Sequence, residues 1–421
     1  MNETLLRIKK AFTVLLFGGV LVSIINFLTS SFIIKEYSTL FFGEYTFSIS
    51  YILFFSAIFS TQSWQPLVRY LQEEREPIND NNIIISFYIC EIVFSLLGYI
   101  LALYLDNKLT DFFNSHSPIT SYGLAIILFS QNNTFFGLFR FKNKHHYISI
   151  IQVTLYGLIL FFCIINKNKI TNPTELIEYT FIAYLISYIL ALVLFIKIIK
   201  LNSIDFRKLQ LVYSIKMCFP FYITILTDSP MRDITIFIIN KYFGSNLVGF
   251  YRILTQFGGV FTKLTQPIYQ ASYSEVVRLF YAKKLVELKK IIIKIIKISM
   301  SYLLLLSIPI VITYDFWVSL FFSSTYIQYK LFFIIYIICQ ILIGTSVIIN
   351  SAYLAIASGW QMFICTATIN TIFVILLYFS TTNFGFIGIL ISILIQVLLT
   401  IFWKSIYIKK SVNINEENID H

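Results

Sequence analysis

The chain has 421 residues, of which 57% are hydrophobic and 13% are charged, and its formal net charge is +11. Soluble domains carry about 25% charged residues, so this composition excludes a soluble protein and indicates one that lies mostly in a membrane. The positive charge needs no nucleic-acid partner, because a basic cytoplasmic face against anionic lipid explains it. The five cysteines lie in apolar runs without metal-ligand spacing, so we predict no metal site and no cofactor.

Apolar runs of about 20 residues predict twelve transmembrane helices, since a helix of that length crosses the hydrocarbon core of a bilayer. The runs lack the two-residue period of a membrane barrel, so the predicted fold class is all-α. In chain order the predicted spans are 11–34, 44–65, 83–105, 118–139, 148–166, 176–196, 213–239, 247–271, 291–313, 328–350, 361–380 and 384–407.

The basic residues set the predicted orientation. With the N-terminus in the cytoplasm, most of the 32 lysines and arginines lie in cytoplasmic segments, as the positive-inside rule requires. Both termini are therefore expected to be cytoplasmic. The loops are too short to hold a soluble catalytic domain, so we do not expect an enzyme. The lysines on the opposite side are Lys35, Lys108, Lys167, Lys169, Lys241 and Lys330.

Two segments about half a chain apart resemble each other. Segments 41–70 and 247–273 each open with Gly-x-Tyr and close with Gln-Pro and an aliphatic residue. Six spans separate them, so both helices run in the same direction, which predicts two six-helix bundles with a substrate path between them. The predicted domains are the bundles 1–200 and 213–410, a cytoplasmic linker 201–212 and a cytoplasmic tail 411–421.

The second copy carries charges inside its apolar run. Arg252 and Lys263 are eleven residues apart, which places them on one helical face. Gln256, Gly259 and Gln266 share that face. Charges at membrane depth cost several kcal/mol unless they face protein or water, so this face predicts a polar lumen that binds a phosphate or diphosphate. The alternatives are an ion pair with an acidic neighbour and snorkelling from the helix end.

Span seven contains a signal for a second helix start. In the run Asp228-Ser229-Pro230, Ser229 suits the N-cap and Pro230 the first helical position. A helix broken there presents free N–H groups to a ligand. Asp228 and Arg232, four residues apart, either pair with each other or handle a ligand or proton. Asp233 points away from Arg232 and is available to a basic residue elsewhere.

Polar residues also interrupt spans three and four. Glu91 is the acid in the middle of the first bundle, and it either exchanges protons to couple transport to an ion or stays neutral and hydrogen-bonded to a neighbouring helix. The run 130–134 includes Gln131 and Asn132, and part of it must face protein or a lumen.

The motif residues resemble the polysaccharide (O-antigen repeat-unit) flippases of the multidrug/oligosaccharidyl-lipid/polysaccharide exporter superfamily. The matching pattern is Asp233, then Phe243-Gly244, then Gly249-x-Tyr251, followed by Gln-Pro and an Ala-Ser-Tyr run, together with the early Gly43-Glu44-Tyr45. Here Ser274 follows Tyr273 where the family often has proline.

The resemblance implies two six-helix bundles in a V shape with a cationic cavity, in the bacterial cytoplasmic (inner) membrane. It implies a flippase that moves an undecaprenyl-diphosphate-linked oligosaccharide, for O-antigen and lipopolysaccharide biosynthesis, from the cytoplasmic to the periplasmic leaflet by alternating access. Arg232, Arg252 and Lys263 would hold the diphosphate. H⁺ or Na⁺ is the expected coupling ion, and a polysaccharide polymerase with its chain-length machinery is an expected partner.

Three other functions compete with this one. An ion-coupled multidrug exporter of the same superfamily would favour an acidic cavity, whereas the polar face of 247–271 is basic. A lipid II flippase usually has fourteen spans. A membrane polysaccharide polymerase or glycosyltransferase is expected to carry a large external loop, which this chain lacks.

Overall fold

The computed structural model describes residues 2–72, 80–112, 121–199, 207, 209–226, 229–281 and 284–417. These ranges contain helices and connecting turns but no strand, which confirms the all-α fold class. The first unit has α1 (Asn2–Glu36), α2 (Thr39–Ile58), α3 (Trp64–Gln72), α4 (Asp80–Phe112), α5 (Ser121–Leu124), α6 (Ile126–Ser130), α7 (Asn133–Phe141), α8 (His145–Ile165), α9 (Pro173–Ile196), α10 (Leu211–Leu226) and α11 (Ser229–Phe243). There follow α12 (Ser245–Tyr281), α13 (Leu285–Ile312), α14 (Tyr314–Phe321), a 3₁₀ turn (Ser324–Tyr329), α15 (Lys330–Thr345), α16 (Val347–Ile356) and α17 (Gly359–Glu417).

Each predicted span lies mostly in helix over the described residues, although α2 ends at Ile58, inside span 44–65. Eight helices among the described residues are long and apolar enough to cross a membrane, and the longest of them, α17, covers both 361–380 and 384–407. Gly385 divides it, with φ 63° and ψ −145°, a conformation that is essentially restricted to glycine. The spans that miss the criterion are 118–139, 213–239 and 247–271. The first is broken into shorter helices, the second is described only in the two parts on either side of residues 227–228, and the third carries charges.

The first compact unit is Met1–Gly249. Its core includes Phe87, Phe135 and Phe195, which come from α4, α7 and α9. Helix α11 packs on α2 through Phe237, whose ring lies 5.6 Å from that of Phe47. These contacts explain why helices α10 and α11 group with the first unit.

Gly43 allows close approach of two backbones within the same unit. A Cβ at this position would overlap the backbone carbonyl of Ser245, at the start of α12. The first glycine of the repeated Gly-x-Tyr motif is therefore a packing requirement between α2 and α12.

The second compact unit is Phe250–His421. Aromatic rings fill its core at one end, where Phe257 and Phe333 lie 4.6 and 5.3 Å from Trp317. The division between the units falls inside α12, later than the linker predicted at 201–212. The predicted limits of the two six-helix bundles stay a prediction.

Candidate functional site

Two helix breaks in the first unit lie side by side. Between α2 and α3, residues 59–63 leave the helix and Gln62 has a left-handed φ of 49°. Between α6 and α7, Gln131 is extended, with φ −83° and ψ 105°. Helix ends leave backbone groups without intrahelical partners, and in a membrane these groups must find partners within the protein.

Glu91 of α4 supplies those partners to α7. Its side chain is 3% exposed. Oε1 accepts the backbone N–H of Asn133 at 2.7 Å, and Oε2 accepts that of Thr134 at 2.8 Å. Oε2 also accepts the hydroxyl of Thr134. The first two N–H groups of α7 therefore meet a carboxylate, which the positive end of the helix dipole favours.

Ser63 brings the first break into the same cluster. It directly precedes α3, it is fully buried, and its Oγ donates to Glu91 Oε2 at 3.2 Å. The same Oγ lies 2.8 Å from Thr134 Oγ1. Asn133 adds a second link, because its Nδ2 donates to Ser60 Oγ at 3.1 Å. The Glu91 carboxylate thus bonds directly to the first turn of α7, and it bonds to the residue before α3 through the Ser63 hydroxyl.

Gln131 and Asn132 flank this cluster and differ in their contacts. Gln131 is buried, and its Nε2 donates to the backbone oxygen of Ser56 at 2.6 Å and to its Oγ at 2.8 Å. Asn132 occupies the N-cap position of α7, yet its side chain makes no capping bond. Its Oδ1 has no hydrogen-bond partner among the described residues. Glu91 therefore does the capping that the sequence position assigns to Asn132.

The other end of α7 carries a cation. The guanidinium of Arg140 lies 4.0 Å from the ring centroid of Trp64, the first residue of α3. Burial lowers the pKa of Arg140 from its ordinary value. A carboxylate at the N-terminus and a guanidinium at the C-terminus both complement the dipole of this nine-residue helix. The start of α3, at Ser63 and Trp64, is thus connected to both ends of α7.

In the second unit, one face of α12 is packed. Leu254, Gly258, Phe261 and Thr265 are buried along it. A Cβ on Gly258 would lie 2.7 Å from the hydroxyl of Tyr336 and 3.0 Å from Cδ of Gln340, so side chains of α15 cover this face. The spacing of these residues defines a single helical stripe.

The opposite face of α12 carries the predicted polar residues. Arg252, Gln256, Gly259 and Lys263 are all partly exposed. A Cβ on Gly259 would meet nothing within 4 Å, so this face adjoins open space at that level. The structure therefore brings the polar side chains together on the unpacked side of the helix. What they bind stays a prediction.

Several predicted site residues, or their side chains, are not described by the structure. Asp228 is not described, and neither are the side chains of Arg232 and Gln266. Helix α10 is described to Leu226 and α11 from Ser229, and the two residues between them lie outside the described ranges, so the division of span seven stays a prediction. Asp233 is partly buried in α11. No group of three His, Cys, Asp or Glu side chains in the described ranges is placed to hold a metal ion.

The sequence analysis missed Ser63, Thr134 and the contact between Arg140 and Trp64. Thr134 belongs to the polar run 130–134, but its pairing with Glu91 depends on two helices far apart in sequence. The signal for the first break is Pro66, because proline is tolerated in the first turn of a helix and so marks a helix start.

No protein-family profile and no curated protein sequence matches the chain. Solved structures match it along almost its whole length. An inward-facing multidrug resistance MATE family transporter of the MOP superfamily has a TM-score of 0.67 and 14% identity, covering 97% of this chain and 95% of that one. For a mutant of the Vibrio cholerae MATE transporter VcmN, the TM-score is 0.62 with 13% identity, covering 97% and 96%.

A Pyrococcus furiosus MOP superfamily transporter, described as having a binding pocket of reverse polarity that suggests a different function, has a TM-score of 0.60 and 15% identity, covering 96% of this chain and 95% of that one. At these identities the likeness shows the fold. The chain therefore has the fold of MATE transporters.

Proposed function

We propose that this chain is a multi-pass transporter of the bacterial cytoplasmic (inner) membrane that moves an undecaprenyl-diphosphate-linked oligosaccharide from the cytoplasmic to the periplasmic leaflet by alternating access. The fold shared with MATE transporters supports transport. The observation that carries the substrate class is the cationic face of α12, on which Arg252 and Lys263 lie opposite the packed face. Both termini are cytoplasmic in this proposal.

The cationic face suits an anionic group that moves along it. Guanidinium and ammonium groups are the donors that bind phosphate. The Cα atoms of Arg252 and Lys263 are about 16 Å apart by helical rise. We take this separation as too large for both side chains to bind one diphosphate in a single compact site. They therefore act as two successive positions for the headgroup, with Gln256 and Gly259 between them.

A cationic drug suits this chain less well, although multidrug transporters share its fold. The acid in the middle of the first unit, Glu91, is already the acceptor for two backbone N–H groups and two hydroxyls. Its oxygens are therefore not presented to a cationic drug. Coupling to an ion is part of the proposal, with Glu91 as a candidate to exchange H⁺ and Asp228 and Asp233 as candidates for H⁺ or Na⁺.

Translocation in vesicles tests the substrate class. We expect Arg252→Ala combined with Lys263→Ala to move a fluorescent diphosphate-linked oligosaccharide at least tenfold more slowly than wild type, since each lost charge-assisted contact is worth about 1.5–3 kcal/mol. The matched control is Lys290→Ala with Lys294→Ala, which removes two exposed charges from α13 of the same unit. Normal translocation by the α12 variant at normal expression would overturn the proposal.

Thiol labelling tests water access to the same face. Cysteines at Gln256 and Gly259 should react with a membrane-impermeant maleimide, whereas a cysteine at the fully buried Leu254 should not. The five native cysteines are buried, so wild-type protein provides the blank. Protection of both positions under every condition of substrate and ion would contradict a lumen along α12.

A further inference from the structure

The second unit contains a cavity of about 260 Å³ away from the polar face of α12. One wall is the junction of α15 and α16, with Ser346 and Asn350. The other wall is the second half of α17, with Gln396, Thr400 and Lys404. Residues four apart on a helix share a face, so each wall presents a row of polar groups to the other.

Hydrogen bonds fix these polar groups in place. Lys404 Nζ donates to Asn350 Oδ1 at 2.8 Å, which holds the ammonium at the cavity wall. Gln396 Nε2 donates to Asn370 Oδ1 at 2.9 Å. Lys404 is the charged member of the lining, and none of the described lining residues is acidic. The described lining therefore carries an ammonium and no carboxylate, and an ammonium donates charge-assisted hydrogen bonds to a phosphate.

The rest of the lining is aliphatic, from Ile343 and Val347 on one side and Val397 and Ile401 on the other. The ammonium of Lys404 also lies 5.6 Å from the ring centroid of Tyr353. On the sides of α17 that do not line the cavity, Phe402 is 66% exposed and Trp403 39% exposed, and tryptophan is enriched where hydrocarbon meets headgroups. An ammonium among aliphatic walls, on a helix with such a tryptophan, matches an amphiphile that carries an anionic head.

We propose that this cavity binds the phosphate headgroup of an anionic membrane lipid, with Lys404 as the phosphate ligand. Pockets for drug-sized molecules measure about 300–1,000 Å³, so a cavity of about 260 Å³ accepts a headgroup and the first carbons of its chains but not a whole lipid. The site lies on other residues than Arg252 and Lys263 and does not depend on the transported substrate.

Binding of soluble lipids to the full-length protein in detergent tests this site. Dioctanoyl phosphatidic acid should bind wild type and should bind Lys404→Gln about tenfold or more weakly, as expected for a lost charge-assisted bond. Lys404→Arg keeps the charge and should stay within about threefold of wild type. Lys409→Gln removes an exposed charge from the same helix and should leave binding unchanged. An equal loss in Lys409→Gln would overturn the proposal.

Two further measurements cover misfolding and free phosphate. Val397→Phe fills the cavity without changing its charge and should also lose binding, so wild-type affinity in a folded Val397→Phe would contradict the assignment. Folding is checked by the melting temperature of each variant. Inorganic phosphate at the same concentration should not displace the lipid. Full displacement would show a free-anion site and overturn the lipid assignment.

Discussion

The two copies of the Gly-x-Tyr to Gln-Pro segment adopt different backbones. In the first copy, α2 ends at Ile58 and α3 begins at Trp64, with Pro66 in the first turn of α3. In the second copy, α12 runs without a break from Ser245 to Tyr281, through Pro267. The same short motif therefore marks a helix start in one unit and an interior position in the other.

Tertiary partners account for this difference. The break in the first copy is next to the break before α7. The Glu91 carboxylate accepts hydrogen bonds from both, from the Ser63 hydroxyl at the first break and from the backbone N–H groups of Asn133 and Thr134 at the second. Without such partners a helix in a membrane keeps its own hydrogen bonds. The lesson is that Gln-Pro permits a break, while a buried acceptor on another helix decides whether it forms.

The polar positions of the copies also differ in exposure. The positions aligned with Arg252, Gln256 and Gln266 in the first copy are Thr46, Ser50 and Ser60. All three of these are buried, at 3–5% exposure, whereas Arg252 and Gln256 are partly exposed. The first copy therefore buries its small polar residues in packing, whereas Arg252 and Gln256 of the second copy stay partly exposed.

We expect the largest effect from replacing Glu91, because its carboxylate connects the helix break before α3 to the break before α7. A buried donor that loses its partner costs about 1–3 kcal/mol, so Glu91→Ala should lower the free energy of unfolding by about 4 kcal/mol or more. Glu175→Ala is the control, because Glu175 caps α9 at an exposed site and should cost about 1 kcal/mol.

Hydrogen exchange locates the effect of Glu91→Ala. The amides of Asn133 and Thr134 should exchange faster, since they lose their acceptor, while those of Leu254 and Phe261 in α12 should keep the wild-type rate. A uniform increase along α7 and α12 would contradict a role confined to the two helix breaks of the first unit.

Gly43→Ala tests the contact between Gly43, near the start of the first copy, and the backbone of Ser245, just before the second copy. The new Cβ would overlap the carbonyl of Ser245, and overpacking of this kind costs about 3 kcal/mol. The control is Gly157→Ala in α8, where a Cβ would meet nothing within 4 Å and alanine should instead stabilise the helix by up to about 1 kcal/mol. Melting temperatures in detergent should therefore shift in opposite directions. Equal shifts would show that the contact between α2 and α12 is not tight.

The sequence predicts the helical spans and the polar face of α12 well, because both follow from hydrophobic length and from the 3.6-residue period. The division of span seven, which rests on the local start signals Ser229 and Pro230, stays a prediction because residues 227 and 228 are not described. The cluster of Glu91, Ser63 and Thr134 could not be predicted, because it joins three segments through tertiary packing. The same reason explains why 44–65 reads as one span although α2 ends at Ile58.

Replacing the two prolines separates their roles directly. In a helix interior, proline costs about 3 kcal/mol relative to alanine, and packing neighbours offset part of this. We therefore expect Pro267→Ala to stabilise the protein by about 2 kcal/mol. Pro66→Ala should instead destabilise it slightly, by about 0.5 kcal/mol, because the unfolded chain gains freedom and the first turn gains no hydrogen bond. Stabilisation of similar size by both changes, measured by thermal unfolding, would remove the distinction between the copies.

Two buried serines of the first copy provide the finest test. Ser63 and Ser48 are both fully buried, but Ser63 bonds to Glu91 while the Oγ of Ser48 has no partner among the described residues. Ser63→Ala should cost about 1 kcal/mol, and Ser48→Ala should be neutral or stabilising, because removing an unsatisfied hydroxyl removes a desolvation penalty. The difference between the two melting temperatures isolates the bond that links α3 to α7, since the change of side chain is identical. If both variants melt alike, the Ser63 hydroxyl contributes nothing to the stability of the first break, and the bond from Asn133 Nδ2 to Ser60 Oγ is the link between the two breaks that remains.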